Sequence, residues 1–225
     1  LMMTYIFIRQ EEITYVEIGI MSILSIAIYF ITHAKTDFIM MLLLQMAVLL
    51  TKKYKDKLNN LIQRKRVKIG ILVFPVLLGV VIWRITAIYS PDKVLLTSLN
   101  EQLSDRLYLG ELAMRIYPPK MFGQYVMENG PGENIDGNYF FIDSSYISIS
   151  IKYGVVFMYT LLIFWCYRLK QFCENNKCIW TLILLIMFIQ GVLEHHLPQY
   201  WFNPFLLMFF ADMRKFGKKK AIGTA

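Results

Sequence analysis

The stretch Lys52–Tyr89 reads KKYKDKLNNLIQRKRVKIGILVFPVLLGVVIWRITAIY. Its first part, Lys52–Lys68, is crowded with lysine and arginine. Its second part, Ile69–Tyr89, is apolar except for Arg84. A helix needs roughly 20 apolar residues to cross the hydrocarbon core of a bilayer. A basic segment flanking such a run is the mark of the cytoplasmic side. The same alternation recurs along the chain. Basic clusters at Arg168–Lys177 and Arg214–Lys220 separate the apolar runs Ile13–Ile31, Phe38–Leu50, Tyr146–Tyr167, Cys178–Leu193 and Phe202–Met213. Phe38–Leu50 is short and must borrow from the break Thr32–Asp37 to reach full length. Pro75 predicts a kink that neighbouring helices can accommodate.

This pattern predicts an all-α, polytopic transmembrane helix bundle with about six spans. Residues 1–225 form a single integral-membrane domain, with the C-terminus inside and one long loop, residues 90–145, outside. That loop holds four basic and eight acidic residues, the reverse of the other loops. Composition agrees: 56% of the 225 residues are hydrophobic and mean hydropathy is +0.46, more than a soluble domain of this size needs. The net charge of +8 would suggest nucleic acid in a soluble protein. Here the basic residues sit in short segments beside apolar runs, which argues against nucleic acid. Cys166, Cys173 and Cys178 show neither a CxxC pair nor a histidine at ligand spacing, so no metal site or disulfide framework is expected. Residue 1 is Leu and Leu1–Ile8 is already apolar, which reads as the later part of a longer protein.

Within the loop, Leu95, Leu99, Leu103 and Leu107 recur every four residues, widened by Leu96 and Leu112. The spacing predicts an amphipathic helix on the outer surface, ended by Pro118-Pro119. Polar groups near such a helix suit a substrate with an apolar anchor and a charged head. Arg106 is the leading phosphate ligand, because a guanidinium offers paired donors matched to phosphate oxygens; an ordinary loop charge beside Asp105 or Glu101 is the plainer reading. Arg115 lies nine residues on, and on a continuous helix it faces away unless the helix breaks at Gly110. Lys35 is a second phosphate contact or a simple flanking lysine. Arg84 can snorkel to the same end.

Glu194-His195-His196 closes the apolar run Cys178–Leu193. A histidine beside a carboxylate suits general-base work near neutral pH; interfacial polar residues at a helix end look the same. Adjacent histidines diverge by about 100° on a helix and rarely share an ion, so metal binding is not expected. Asp143 can contact a sugar hydroxyl or cap the following helix. Tyr200 and Trp201 read as interfacial belt residues.

Several of these runs resemble a family. Ser104-Asp105-Arg106-Leu107-Tyr108-Leu109, Met121-Phe122-Gly123-Gln124, Asp143-Ser144-Ser145-Tyr146 and Lys152-Tyr153-Gly154-Val155 resemble the outer loop and re-entry helix of bacterial capsular and exopolysaccharide repeat-unit polymerases, relatives of the O-antigen polymerases and ligases. Glu194-His195-His196 followed by Asn203-Pro204-Phe205-Leu206-Leu207 is similar to their C-terminal pattern. His33-Ala34-Lys35-Thr36 stands where members often carry Ser-Arg-Thr, with Lys in place of Arg. The resemblance runs from Thr32 to Phe210. It implies the C-terminal half of a polymerase, since such proteins have about twice as many spans.

The resemblance further implies a multi-pass protein of the bacterial cytoplasmic membrane, active in capsule, exopolysaccharide or O-antigen biosynthesis. It would be a metal-independent membrane glycosyltransferase acting on a polyprenyl-diphosphate-linked oligosaccharide, with no cofactor. Flippase and chain-length regulator proteins are implied partners, besides membrane lipid. Arg106, Lys35 and Arg84 would hold the diphosphate. His195 or His196 would be the base, with Glu194 orienting or replacing it. Asp143 and Tyr146 would bind sugar. Alternatives are a ligase of the same superfamily, a polysaccharide transporter or flippase, and a non-catalytic scaffold. A transporter predicts ionisable residues in mid-span, and only Gln45 and Gln190 are polar at depth.

Overall fold

The structure is a computed structural model describing residues 2–9, 12–129, 140–199, 203 and 206. The helices are α1 (Met2–Arg9), α2 (Tyr15–Thr32), α3 (Lys35–Gln63), α4 (Lys65–Ala87), α5 (Val94–Gln102), α6 (Arg106–Ile116), α7 (Ser145–Lys152), α8 (Val155–Glu174) and α9 (Cys178–Leu193). Among the described residues the chain is all-helical, apart from an isolated antiparallel bridge between Asn129 and Phe140. The apolar run Phe202–Met213 apart from Asn203 and Leu206, the basic tail Arg214–Lys220, Tyr200, Trp201 and the Gly130-Pro131-Gly132 stretch lie outside the described residues.

α2 starts at a capping box. Thr14 Oγ1 accepts from the Glu17 N–H at 3.2 Å, and Glu17 Oε2 accepts from the Thr14 N–H at 2.5 Å. Two orphan donors are thereby satisfied. Glu17, the acid inside the first apolar run, thus has a local task, and Arg9 Nη2 holds it at 3.1 Å.

α2 and α4 are long and apolar enough to cross a membrane. Only 17% and 22% of their apolar windows are buried by the rest of the protein. The core helix of a water-soluble domain buries its apolar face. Here Val16, Ile23, Phe30 and Ile31 of α2 stay largely exposed, and a contiguous row of this kind calls for an apolar cover. α9 is shorter and sits inside the bundle, its Leu184 and Phe188 fully buried against Trp165 and Leu169 of α8. α3 packs between α2 and α9, and α4 packs on α8 and α9. One polar clasp joins α2 to α3 inside the apolar region. Ser22 Oγ donates to Gln45 Oε1 and Gln45 Nε2 donates to Ser25 Oγ, both at 2.8 Å. Gln45 is therefore satisfied between the two helices.

Three expectations are corrected. The basic segment Lys52–Lys68 is helical: α3 runs on to Gln63, α4 begins at Lys65, and Arg64 alone makes the corner. Lysine is a good helix former, so charge did not end the helix; it bends only at Tyr54 (φ −128°, ψ 30°). The leucine stripe is two helices. Ser104 and Asp105 adopt left-handed conformations (φ 54° and 62°) and break it before Arg106, not at Gly110. Asn100 builds that corner, its amide donating to Asp105 Oδ1 at 2.8 Å and its carbonyl accepting from the Tyr108 N–H at 2.9 Å. The run Tyr146–Tyr167 is also divided, at Tyr153-Gly154, into α7 and α8.

That last break joins two motifs distant in sequence. Val155 and Val156 N–H, orphan donors of the first turn of α8, donate to Lys120 and Met121 C=O at 3.0 and 3.2 Å. Gln124 N–H donates to Lys152 C=O at 3.2 Å. Gly123 (φ 81°) and Gly154 (φ 97°) meet back to back. A Cβ on Gly154 would lie 2.3 Å from Met121 O and 2.5 Å from Gly123 N. Backbone on backbone at this distance leaves room for glycine only. The segment between α6 and α7 is thereby pinned to the end of the bundle where the candidate site lies.

Candidate functional site

One end of the bundle gathers ionisable side chains from four parts of the chain. Arg106 is the first residue of α6, placed there by the left-handed turn at Ser104-Asp105. Its Nη2 contacts Glu194 Oε1 at 2.7 Å and its Nε lies 3.5 Å from Asp143 Oδ2. Side-chain exposures are 20% for Arg106, 14% for Glu194 and 17% for Asp143, so these pairs are half-shielded from water. One guanidinium holds two carboxyl groups, and its remaining N–H donors stay available to a ligand.

Asp143 does not cap α7. Ser144 is the N-cap residue and makes no side-chain cap bond. Asp143 instead turns toward Arg106, a charge-assisted contact stronger than a neutral one. Ser145 ties the two walls together: its hydroxyl donates to Glu194 C=O at 2.5 Å and accepts from the Leu197 N–H at 3.1 Å. Asn203, fully buried, donates from Nδ2 to Leu197 C=O at 2.8 Å. These bonds fix the turn that follows α9.

In that turn Glu194 is extended (φ −131°, ψ 149°), because α9 has already ended at Leu193. The expectation that the two histidines diverge rested on a continuing helix. The turn brings them edge to face instead, with ring centres 5.1 Å apart. Glu194, His195 and His196 hold ligand-type atoms within 4.8 Å of one another. A zinc ion bonds such atoms at about 2.0–2.2 Å, so the three groups would have to draw inward, against the hold of Arg106 on Glu194. The present spacing suits proton handling better.

Burial lowers His195 below the ordinary imidazole range, partly offset by Asp143. Burial lowers His196 to about 4, with His195 adding to the effect. Both rings are therefore neutral near pH 7 and able to accept a proton. Gln190 Nε2 lies 3.3 Å from His196 Nδ1; with the amide as donor, that nitrogen is already engaged. His195 Nδ1 is buried without a hydrogen-bond partner. Such an atom costs about 1–3 kcal/mol. Burial also raises Asp143 and Glu194, and Arg106 pulls both back down.

Sequence reading missed the surrounding groups. Asp37, in the first turn of α3, acts electrostatically on Glu194 and His196. Lys152 Nζ holds Glu128 Oε2 at 2.5 Å, and Glu128 Oε1 accepts from the Ile142 N–H at 3.1 Å. Lys152 also lies over Phe141 at 5.9 Å, and Phe141 packs edge-on against His195 at 5.1 Å. Only the resemblance, which quoted Lys152, gave any signal for this arm. Arg115 pairs with Glu111 at 3.7 Å on the exposed face of α6.

Three expected ligands stand apart. Tyr146 is 1% exposed, its hydroxyl donating to Phe188 C=O at 3.3 Å inside the core. It is a packing residue and cannot meet a sugar in this arrangement. Lys35 and Arg84 are exposed at the ends of α3 and α4, and neither touches the Arg106 cluster. No family model, curated protein or solved structure matches the chain.

Proposed function

We propose that the protein is a membrane glycosyltransferase, a polysaccharide polymerase that joins polyprenyl-diphosphate-linked oligosaccharide repeat units at the outer face of the cytoplasmic membrane. It crosses the membrane about six times, with residues 90–145 outside and the C-terminus inside. The reading rests on one observation above all. Arg106 and the Glu194-His195-His196 turn, 88 residues apart at the Arg106–Glu194 contact, converge at the end of the bundle opposite the Lys68–Glu174 pair that joins α4 to α8.

The chemistry follows from the groups present. The free N–H donors of Arg106 bind the donor's diphosphate, while Asp143 and Glu194 hold the guanidinium in place. His195 takes the proton of the acceptor hydroxyl. The acceptor oxygen bonds to the anomeric carbon of the donor glycan. The bond from that carbon to the diphosphate breaks, and the lipid diphosphate leaves with the electron pair, its charge met by Arg106. The diphosphate supplies the driving force, so the step needs no nucleotide. Gln45 commits its amide to Ser22 and Ser25, which weighs against a transporter.

The test is glycan length in cells expressing the gene, comparing wild type with Arg106→Ala and His195→Ala at matched membrane levels. Collapse to single repeat units in both variants is expected. Long polymer persisting in both would overturn the reading.

A further inference from the structure

We propose a second ligand site at the opposite end of the bundle: a cleft that seats the phosphate headgroup of an anionic phospholipid. The inference rests on the membrane reading above but not on the polymerase chemistry. The cleft has a volume of about 160 Å³ and lies between Ile13 in the segment leading into α2, the middle of α3 and the start of α9. Its floor is apolar and buried, formed by Ile13, Val48 and Ile179. Exposed Lys52 and Lys55 stand at its mouth. Thr51 also lines the cleft, but its hydroxyl proton is directed to Ala47 and Val48 C=O, both at 2.9 Å, so the lysines supply the side-chain donors for a headgroup.

An apolar floor under a cationic rim matches an amphiphile better than a free anion. Lys52 donates to Ile13 C=O and lies 4.9 Å from the centre of the Tyr15 ring, which fixes one ammonium group at the rim and leaves it two further donors. Tyr15 and Val16 open the exposed apolar flank of α2 directly beside this rim, a path for an acyl chain. The start of α9 contributes as well: Lys177, its N-cap residue, supplies no side-chain cap, and Cys178 and Ile179 line the cleft. The positive end of a helix favours negative charge there. A lysine near an anionic headgroup contributes about fivefold in affinity, so the pair accounts for roughly thirtyfold over a zwitterionic lipid.

The experiment uses the full chain purified in detergent, after carbonate extraction has shown that it stays with the membrane. Loss to the aqueous phase at that first step overturns the membrane reading, and the cleft with it. Retained lipid is then read by native mass spectrometry with phosphatidylglycerol, phosphatidylcholine or inorganic phosphate. Preferential retention of phosphatidylglycerol is expected, lost roughly thirtyfold in Lys52→Gln/Lys55→Gln and kept in Lys53→Gln/Lys57→Gln, which carries the same charge change outside the cleft. Equal loss in both double variants, equal retention of phosphatidylcholine, or displacement by inorganic phosphate at equal concentration would overturn the cleft while leaving the polymerase test untouched.

Discussion

Replacing Gly154 by alanine tests the geometry that ties the segment between α6 and α7 to the bundle. Gly154 has φ 97° and ψ 157°, a region open essentially to glycine and worth about 1–3 kcal/mol against any other residue. The added Cβ would meet Met121 O at 2.3 Å and Gly123 N at 2.5 Å. Both atoms are backbone and cannot rotate away, so the loop must lift. Lifting it breaks the Val155–Lys120 and Val156–Met121 hydrogen bonds, each worth about 1 kcal/mol net. The total is about 3–5 kcal/mol, which lowers Tm by about 6–20 °C for a domain of this size. Gly19→Ala is the matched control: its Cβ meets nothing within 4 Å, and alanine is the better helix former by about 1 kcal/mol. Thermal unfolding in detergent gives the stabilities, and hydrogen exchange at Val155 and Val156 reports the loop directly. A Gly154→Ala protein that melts with the wild type and keeps those two amides protected would refute the back-to-back contact.

Three further outcomes are expected. Arg106→Ala should lower turnover about 10²–10³-fold, the usual cost of removing a donor at a developing negative charge, and Arg106→Lys should recover only part, because an ammonium cannot span Asp143 and Glu194 together; full activity in the lysine variant, measured by polymer formed per unit protein, would count against the assignment. The acid limb of the pH–rate profile should fall below the ordinary imidazole value of 6.5, because burial holds His195 and His196 neutral. The sign for stability agrees: the folded pKa of His196 is depressed, the unfolded chain binds the extra proton, and this stabilising contribution is present above 6.5 and lost as pH falls from 6.5 to about 4. Raised Asp143 and Glu194 act in the opposite sense, stabilising at low pH and losing that contribution as pH rises through their folded values; an activity limb at or above 6.5 would contradict the buried, neutral rings. Gln45→Leu should cost only about 0.6 kcal/mol, since Ser22 and Ser25 retain bonds to Ile18 and Met21 C=O at 2.9 and 2.7 Å; unfolding in detergent measures it, and a loss above about 3 kcal/mol would show that the clasp holds α2 to α3.

The sequence by itself determined the composition of the elements. Hydropathy over roughly 20 residues is a sum over one segment, so the apolar helices α2 and α4 and the positions of the basic clusters could be read without any knowledge of packing. The capping box of Thr14 and Glu17 closes within four residues, a local signal that a reading by hydropathy passes over. Arg106, Asp143 and the Glu194-His195-His196 turn could be named as chemically apt, but not joined.

What only the tertiary structure decided is which of these groups meet, and the reason is that each meeting depends on a break in a helix. The leucines from Leu95 to Leu107 keep one period through Ser104-Asp105, so nothing in the pattern marks the left-handed turn that aims Arg106 at Glu194. Gly154 divides an apolar run because it must pass Gly123, a partner 31 positions earlier. Tyr146 carries the same hydroxyl whether it faces a sugar or Phe188, and only the packing of α7 on α9 turns it inward. Local free energies along the chain fix where helices can form. The contacts between distant residues, each too weak to show in any one segment, fix where those helices stop and what their ends bring together.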